Sequence, residues 1–175
     1  YPPKNQTIIA FGDSLIRGTG STLGNDFISL SSKKLNKNII NEGIPGETTN
    51  DALNRVDEII NKDPGTVILL FGGNDFLRNR PQTETFSNLR LLIKKLQDNG
   101  SMVILLGIRG VLLVDEFGCD FDKLADEGDV IFIPNVLDGL IGKPKYMSSD
   151  NIHPNDEGYT KIADKVYKVI KNYLK

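Results

Sequence analysis

The fold of this chain is decided by residues 7–15, Thr-Ile-Ile-Ala-Phe-Gly-Asp-Ser-Leu. The first part of this stretch is short, continuous and β-branched, which is typical of a strand buried on both faces of a parallel sheet. The second part turns through Gly12 and Asp13 and places Ser14 where the strand ends. Ligands of open α/β sheets bind outside the carboxyl ends of the strands, so Ser14 is a candidate nucleophile. The same three residue types also suit an ordinary strand-to-helix turn, and that structural interpretation stays open at this point.

A serine hydroxyl becomes a good nucleophile only when a neighbouring base takes its proton, and imidazole is the natural base at neutral pH. The chain has one histidine, His153. Asp150 precedes it by three positions, a spacing that lets a carboxylate on the same loop accept the Nδ1 proton and leaves Nε2 facing Ser14. The alternative is a surface histidine near a helix start, with Asp150 merely ending a loop.

Two further strand patterns end in hydrogen-bond donors. The pattern at 66–71 is followed by the amide of Asn74, and the pattern at 38–43 is followed by the free N–H of Gly46. A tetrahedral intermediate needs several fixed donors, and these two groups with the N–H of Ser14 make three. Each segment taken alone is explained by an ordinary turn, but several such turns at one edge of a sheet favour a single site.

At this point the sequence resembles the SGNH hydrolases, also called the GDSL esterase and lipase family. The matching blocks occur in the family order: Phe-Gly-Asp-Ser-Leu at 11–15, Gly46 after Asn-Glu-Gly at 41–43, Gly-Gly-Asn-Asp at 72–75, and Asp-Asn-Ile-His-Pro at 150–154. Spacing and flanks are most similar to the branch that contains bacterial thioesterase I, lysophospholipase L1 and arylesterase. The resemblance runs from about Thr7 to the C-terminal helix.

The resemblance implies a serine esterase that hydrolyses carboxylic esters or thioesters, such as acyl esters, lysophospholipids or acyl thioesters, through an acyl-enzyme. Ser14 is then the nucleophile, His153 the general base and acid, and Asp150 its orienting partner. The N–H groups of Ser14 and Gly46 and the Asn74 amide form the oxyanion hole. No metal and no organic cofactor are implied. Two alternatives stay open: a carbohydrate O-acetyl esterase of the same family, and a non-catalytic flavodoxin-like binding module.

Substrate-binding residues are predicted after the fourth strand and beside the histidine. Acyl chains bind in apolar, concave pockets, and Ile108, Val111, Leu112 and Ile152 are predicted to line such a pocket. The alternative is that residues 107–114 pack in the core. This segment departs from the longer, proline-containing loop of the thioesterase-like branch, which leaves the preferred acyl-chain length open.

Composition agrees with a small single-domain enzyme that acts on a small-molecule or lipid ester. The chain has 175 residues, of which 39% are hydrophobic, and a net charge of −2. Because Lys and Arg are scattered among Asp and Glu, there is no basic footprint for a phosphate backbone, and no nucleic-acid partner is expected. Cys119 is the only cysteine, so an internal disulfide is excluded and no zinc site is indicated. We expect one domain over residues 1–175, and the oligomeric state is not indicated.

The compartment is less constrained than the chemistry. No apolar run approaches the ~18 residues of a membrane-spanning helix, so no transmembrane segment is expected. The chain begins at Tyr1 rather than Met. Removal of a signal peptide would explain this start, and so would trimming of the chain. The branch that it resembles includes many periplasmic or secreted members, which favours those locations over the cytoplasm.

Strand and helix patterns alternate along the chain, which is typical of the α/β class. Five strands are predicted, at 7–11, 38–43, 66–71, 102–106 and 130–133. Helical spacing follows the candidate caps Thr48 and Thr49, recurs over 86–96, and returns after Asn155, where Tyr159, Ile162, Val166, Val169 and Ile170 are predicted to be buried. From the family we expect a flavodoxin-like, three-layer α/β/α sandwich with a five-stranded parallel sheet of order 2-1-3-4-5.

The remaining carboxylates are assigned to structure rather than to the triad. Asp13 is predicted to brace the turn before Ser14, and Asp75 to tie neighbouring loops together. The acidic stretch at 115–126 lacks the glycine and the alternating ligands of a calcium loop, and it predicts a solvated helix face.

Overall fold

The computed structural model describes residues 3–109 and 115–174. Strands and helices alternate along these residues. In chain order they are β1 (Ile8–Gly12), α1 (Ser14–Arg17), α2 (Phe27–Leu35), β2 (Ile39–Gly43), α3 (Thr49–Ile60), β3 (Thr66–Leu70), α4 (Gly73–Leu77), α5 (Gln82–Asp98), β4 (Met102–Leu106), α6 (Asp115–Gly128), β5 (Ile131–Ile133) and α7 (Asp156–Ile170).

The five strands form one parallel sheet in the order β2-β1-β3-β4-β5. The three central strands are buried along their whole length, whereas the edge strands β2 and β5 are partly exposed. This difference explains why the central strands read as continuous apolar runs while β2 carries Asn41 and Glu42. The predicted α/β class, the five parallel strands and the order 2-1-3-4-5 are confirmed.

Helices cover both faces of the sheet, and successive residues of a strand belong to different cores because strand side chains alternate. In β3, Ile68 and Leu70 belong to a core that α2 and α7 cover, and Val67 and Leu69 belong to a core that α3, α5 and α6 cover. We call these the α2/α7 core and the α3/α5/α6 core. The site is therefore supported from both sides of the sheet.

Local signals in the sequence explain where two of the helices begin. Thr48 caps α3 through a capping box with Asp51, in which each side chain accepts from the other residue's backbone N–H. Asn155 caps α7 by accepting a hydrogen bond of 3.0 Å from the N–H of Gly158. The predicted buried face of α7 is confirmed for four residues, but Val169 is only half-buried.

The sequence patterns did not predict α2, although the chain carries a signal for it. Asp26 stands before the apolar pair Phe27 and Ile28, and its Oδ1 accepts from the N–H of Ser29 at 2.8 Å. An aspartate followed at once by an apolar pair is a helix start. The stacked rings of Phe27 and Tyr159, 6.2 Å apart, then pack α2 against α7.

The acidic stretch forms α6, and two of its carboxylates make local contacts. Asp120 accepts from Gln82 at 2.7 Å, and Asp122 pairs with Arg109. Within the described ranges, no group of three or more His, Cys, Asp or Glu side chains is placed to hold a metal ion. Cys119 is exposed. None of the helices described here has the length and apolar character needed to cross a membrane.

Candidate active site

The nucleophile candidate stands at the start of a short helix at the carboxyl edge of the sheet. β1 ends at Gly12, and the next residue, Asp13, caps α1 by accepting from the N–H of Leu15 at 2.9 Å. Ser14 is the first residue of α1 and is 9% exposed. The strand, its turn and the cap therefore fix the backbone on both sides of this serine.

The structure brings Ser14, His153 and Asp150 into one chain of hydrogen bonds. The Oγ of Ser14 lies 2.9 Å from Nε2 of His153, across 139 positions of sequence. Nδ1 of His153 lies 2.6 Å from Oδ2 of Asp150. A proton on Nδ1 satisfies the carboxylate and leaves Nε2 free to accept the serine proton.

The second oxygen of Asp150 is held by three donors. Its Oδ1 accepts from the hydroxyl of Ser148 at 2.7 Å and from the N–H groups of Ile152 and His153 at 2.8 and 3.0 Å. The hydrogen bonds from His153, with those from Ser148 and Ile152, hold the pKa of Asp150 well below its usual range. The carboxylate is therefore ionised throughout the neutral and mildly acidic range. Sequence analysis missed Ser148, whose only signal is a hydroxyl two residues before the aspartate.

The loop that carries the histidine is closed at its base. The N–H of Ser148 donates to the carbonyl of His153 at 2.8 Å, and Met147 and Pro154 form an antiparallel bridge. The next residue, Asn155, donates through Nδ2 to the carbonyl of Met147 at 3.1 Å while it caps α7. The imidazole thus sits on a closed loop that the buried helix α7 anchors.

A second loop, residues 18–25, supports the histidine from the side of Ser14. Gly20 has a φ of +96°, and a Cβ there would lie 2.6 Å from the carbonyl of Pro154 and 3.1 Å from Cβ of His153. Only glycine permits so close an approach of the backbone. Thr22 then donates to Asp156 of α7 through its N–H at 2.7 Å and its hydroxyl at 2.6 Å. Sequence analysis missed this loop, for which the spaced glycines were the available signal.

The predicted oxyanion donors lie on segments that are tied together. Nδ2 of Asn74 donates to the carbonyl of Glu47 at 2.9 Å and lies 3.3 Å from Oδ2 of Asp13. Gly46 has a left-handed backbone with φ +84°. In the part of the chain that the structure describes, the N–H groups of Ser14 and Gly46 have no hydrogen-bond acceptor. Both N–H groups are thus available to a substrate oxygen.

Asp13 and Asp75 make the structural contacts predicted for them. Asp13 braces the turn through Leu15 and Asn74, and its burial raises the pKa of its carboxyl to about 7. Asp75 is buried and accepts from the N–H and the hydroxyl of Thr49 at 2.9 and 2.6 Å. The latter pair ties α4 to the start of α3.

The residues predicted to bind the acyl chain are placed differently from one another. Ile108 is buried in the α2/α7 core, with its Cδ1 3.6 Å from where a Cβ of Gly73 would lie. Ile152 is 53% exposed beside His153. Val111 and Leu112 lie outside the described residues. The acyl pocket stays a prediction.

A five-stranded parallel sheet of this order, with a hydrogen-bonded serine, histidine and aspartate at its carboxyl edge, defines an SGNH-type hydrolase fold. The chain belongs to the GDSL-like lipase/acylhydrolase family, whose model matches residues 10–161. That range contains each of the blocks that carried the resemblance.

Similar proteins and structures support this family membership. An arylesterase of Vibrio mimicus is 30% identical over 181 residues, which cover 97% of this chain and 90% of that protein. Thioesterase 1/protease 1/lysophospholipase L1 of Escherichia coli (strain K12) is 28% identical over 173 residues, which cover 94% and 83%. The crystal structure of the psychrotrophic esterase EstA from Pseudoalteromonas sp., inhibited by monoethylphosphonate, matches with a TM-score of 0.87 at 28% identity and covers 97% of this chain and 99% of that one. The predicted family, its branch and the class of enzyme, a hydrolase of ester bonds, are confirmed.

Proposed function

We propose that the protein is a serine esterase in which Ser14 is the nucleophile, His153 the general base and acid, and Asp150 the residue that orients the imidazole. One observation carries the assignment: the hydroxyl of Ser14 and Nε2 of His153 lie 2.9 Å apart although 139 positions separate them in sequence. That distance is within reach for direct proton transfer. The chemistry needs no metal or organic cofactor.

The first half of the reaction forms an acyl-enzyme. The Oγ of Ser14 attacks the carbonyl carbon of the ester or thioester while Nε2 of His153 takes its proton. Ionised Asp150 stabilises the resulting imidazolium. The oxyanion accepts hydrogen bonds from the N–H groups of Ser14 and Gly46 and from the Asn74 amide. When the intermediate collapses, His153 protonates the leaving alcohol or thiol, and the acyl group remains on Ser14.

The second half releases the acid. A water molecule attacks the acyl carbon while His153 again takes a proton, and the same three donors stabilise the second oxyanion. Collapse breaks the bond to the serine oxygen, which receives the proton from the imidazolium. The products are the carboxylic acid and free Ser14.

We propose carboxylic esters and thioesters as substrates, carried by a small molecule or a lipid. The names of the relatives support this range, because one is an arylesterase and another is a thioesterase and lysophospholipase. Which acyl group is preferred depends on the acyl pocket. The preference is measured with a series of p-nitrophenyl esters from acetate to palmitate, together with a thioester and a lysophospholipid.

The assignment is tested with a fluorophosphonate probe and p-nitrophenyl butyrate. Ser14→Ala is expected to remove both covalent labelling and turnover while the urea midpoint of unfolding stays unchanged. Ser87→Ala, an exposed serine of α5, is the matched control and keeps both. Turnover by Ser14→Ala at the wild-type rate would end the proposal.

A further inference from the structure

The carbonyl of Gly46 is held by an arginine that the proposed mechanism does not use. Arg78 follows α4 directly, and its Nη2 donates a hydrogen bond of 2.7 Å to the Gly46 oxygen. A Cβ at Gly46 would lie 3.3 Å from the same nitrogen, so the guanidinium packs against this residue. Across residues 3–109 and 115–174, this is the only side-chain hydrogen bond of Arg78, and no carboxylate pairs with it.

Three side chains of α4 and its C-cap each hold one residue of the segment 46–49. The pairs are Asp75 with Thr49, Asn74 with the carbonyl of Glu47, and Arg78 with the carbonyl of Gly46. The first tie is buried, the second is half-buried and the third is exposed. The first two hold the end of the segment that leads into α3. Gly46, at the other end, is held by Arg78.

Glycine needs such a restraint more than any other residue, because its backbone rotates most freely. The direction of the Gly46 N–H depends on the rotation of the whole residue, and a fixed carbonyl limits that rotation. Oxyanion donors act by being in place before the charge develops. A displacement of about 1 Å at such a group costs on the order of 10²-fold in rate.

We propose that Arg78 is a positioning residue of the oxyanion hole, which fixes the direction of the Gly46 N–H by holding the Gly46 carbonyl. The inference rests on the proposed function, because it takes that N–H to be a donor to the oxyanion. Arg78 itself does not touch the reacting atoms. Its loss therefore slows the chemical step without weakening substrate binding.

The test compares Arg78→Ala with Arg80→Ala, an exposed arginine two positions away, on the uncharged substrate p-nitrophenyl butyrate. Arg78→Ala is expected to lower kcat by about 10- to 100-fold and to leave KM within about twofold of wild type. Arg80→Ala keeps wild-type kcat and KM. Arg78→Lys, which keeps a donor and the charge, restores part of the loss. Urea midpoints of all three variants stay at the wild-type value, since Asp75 still anchors α4.

A double-variant cycle separates Gly46 from Asn74 as the group on which Arg78 acts. If Arg78 acts through Gly46, Arg78→Ala lowers kcat by a similar factor in wild type and in the Asn74→Ala background. A role in placing α4, and with it Asn74, predicts instead that the factor disappears in that background.

Three outcomes would overturn the inference: equal kcat for Arg78→Ala and Arg80→Ala, a loss confined to KM, or a factor that vanishes without Asn74. Failure of the proposed function shows differently. In that case the wild-type protein itself does not hydrolyse the ester, and a fluorophosphonate does not label Ser14.

Discussion

The Asn74 amide has two N–H donors, and the structure engages them unequally. One bond, to the carbonyl of Glu47, measures 2.9 Å, whereas the contact with Oδ2 of Asp13 measures 3.3 Å. The shorter bond fixes the amide plane, and the longer one is close to the limit for a hydrogen bond. In the proposed mechanism, the hydrogen near Asp13 is therefore the one that Asn74 donates to the oxyanion.

Removing this donor is expected to slow turnover rather than binding. Asn74→Ala should lower kcat by about 10²- to 10³-fold, the usual effect of losing one oxyanion donor. Steady-state kinetics on p-nitrophenyl butyrate measure this decrease in kcat, with Asn54→Ala, at an exposed position of α3, as the control. A rise in KM at unchanged kcat would show that Asn74 only binds substrate.

The buried carboxyl of Asp13 makes stability depend on pH. Burial raises its pKa from 3.8 to about 7 in the folded protein. Between these two pH values the folded state keeps a proton that the unfolded state has released. The contribution of this group to the free energy of unfolding is thus fully present below about pH 4 and is lost as pH rises through about 7.

The variant Asp13→Asn stays neutral and escapes this loss. As pH rises from 4 to 8, wild type should lose on the order of 4 kcal/mol in free energy of unfolding that the variant does not lose. Urea unfolding at several pH values checks this, with Asp126→Asn, an exposed carboxylate, as the control. A difference between variant and wild type that does not change with pH contradicts the expectation.

At the scale of elements, the strands followed from the sequence more closely than the helices did. A strand buried in a parallel sheet is typically a continuous apolar run, and such runs marked the three central strands. All five predicted strands agree with the observed ones to within one residue at each end. The short helices α1 and α4 were not predicted, because a single turn shows no 3.6-residue period.

The start of α7 serves the helix and the loop that carries His153 at once. Oδ1 of Asn155 caps the helix through Gly158, while its Nδ2 donates to the carbonyls of Lys145 and Met147 at 2.9 and 3.1 Å. Asn155→Ala should therefore lower the free energy of unfolding by about 1–2 kcal/mol and also reduce kcat.

The comparison variant Asn155→Ser separates these two roles, because its hydroxyl still caps α7 but is too short to replace both bonds to the loop carbonyls. It should recover most of the stability and leave kcat reduced, as measured by urea unfolding and by hydrolysis of p-nitrophenyl butyrate. Recovery of both quantities would show that the cap alone sustains activity.

In the molecule as a whole, one sheet joins two cores, and neighbouring residues of β3 lie in different cores. Leu69 lies in the α3/α5/α6 core and Leu70 in the α2/α7 core, and both are fully buried. If residues 1–175 form one domain, as the sequence predicts, neither core can unfold without the other.

Leu69→Ala and Leu70→Ala are each expected to lower the free energy of unfolding by about 2–5 kcal/mol and to leave a single transition. Far-ultraviolet circular dichroism and tyrosine fluorescence should report the same urea midpoint in each variant. Leu91→Ala, at an exposed position of α5, should have little effect. Two separated transitions in either variant would indicate two independent domains.

The sequence by itself determined the α/β class, the five strands and the family, because each depends on patterns that are local in the chain. Apolar runs define strands, and short motifs at their ends define the candidate groups. Only the family resemblance supplied the strand order, since periodicity within a segment says nothing about which segments pair.

The tertiary structure decided which groups meet. The 2.9 Å contact of Ser14 with His153 joins positions 139 residues apart. It exists because α7 packs on a face of the sheet to which β1 contributes Ile8 and Ala10. The contacts that Ser148 and Gly20 make with the loop of His153 depend on how separate segments pack, which no local pattern encodes. Their physical origin is the close packing of separate segments at one edge of the sheet.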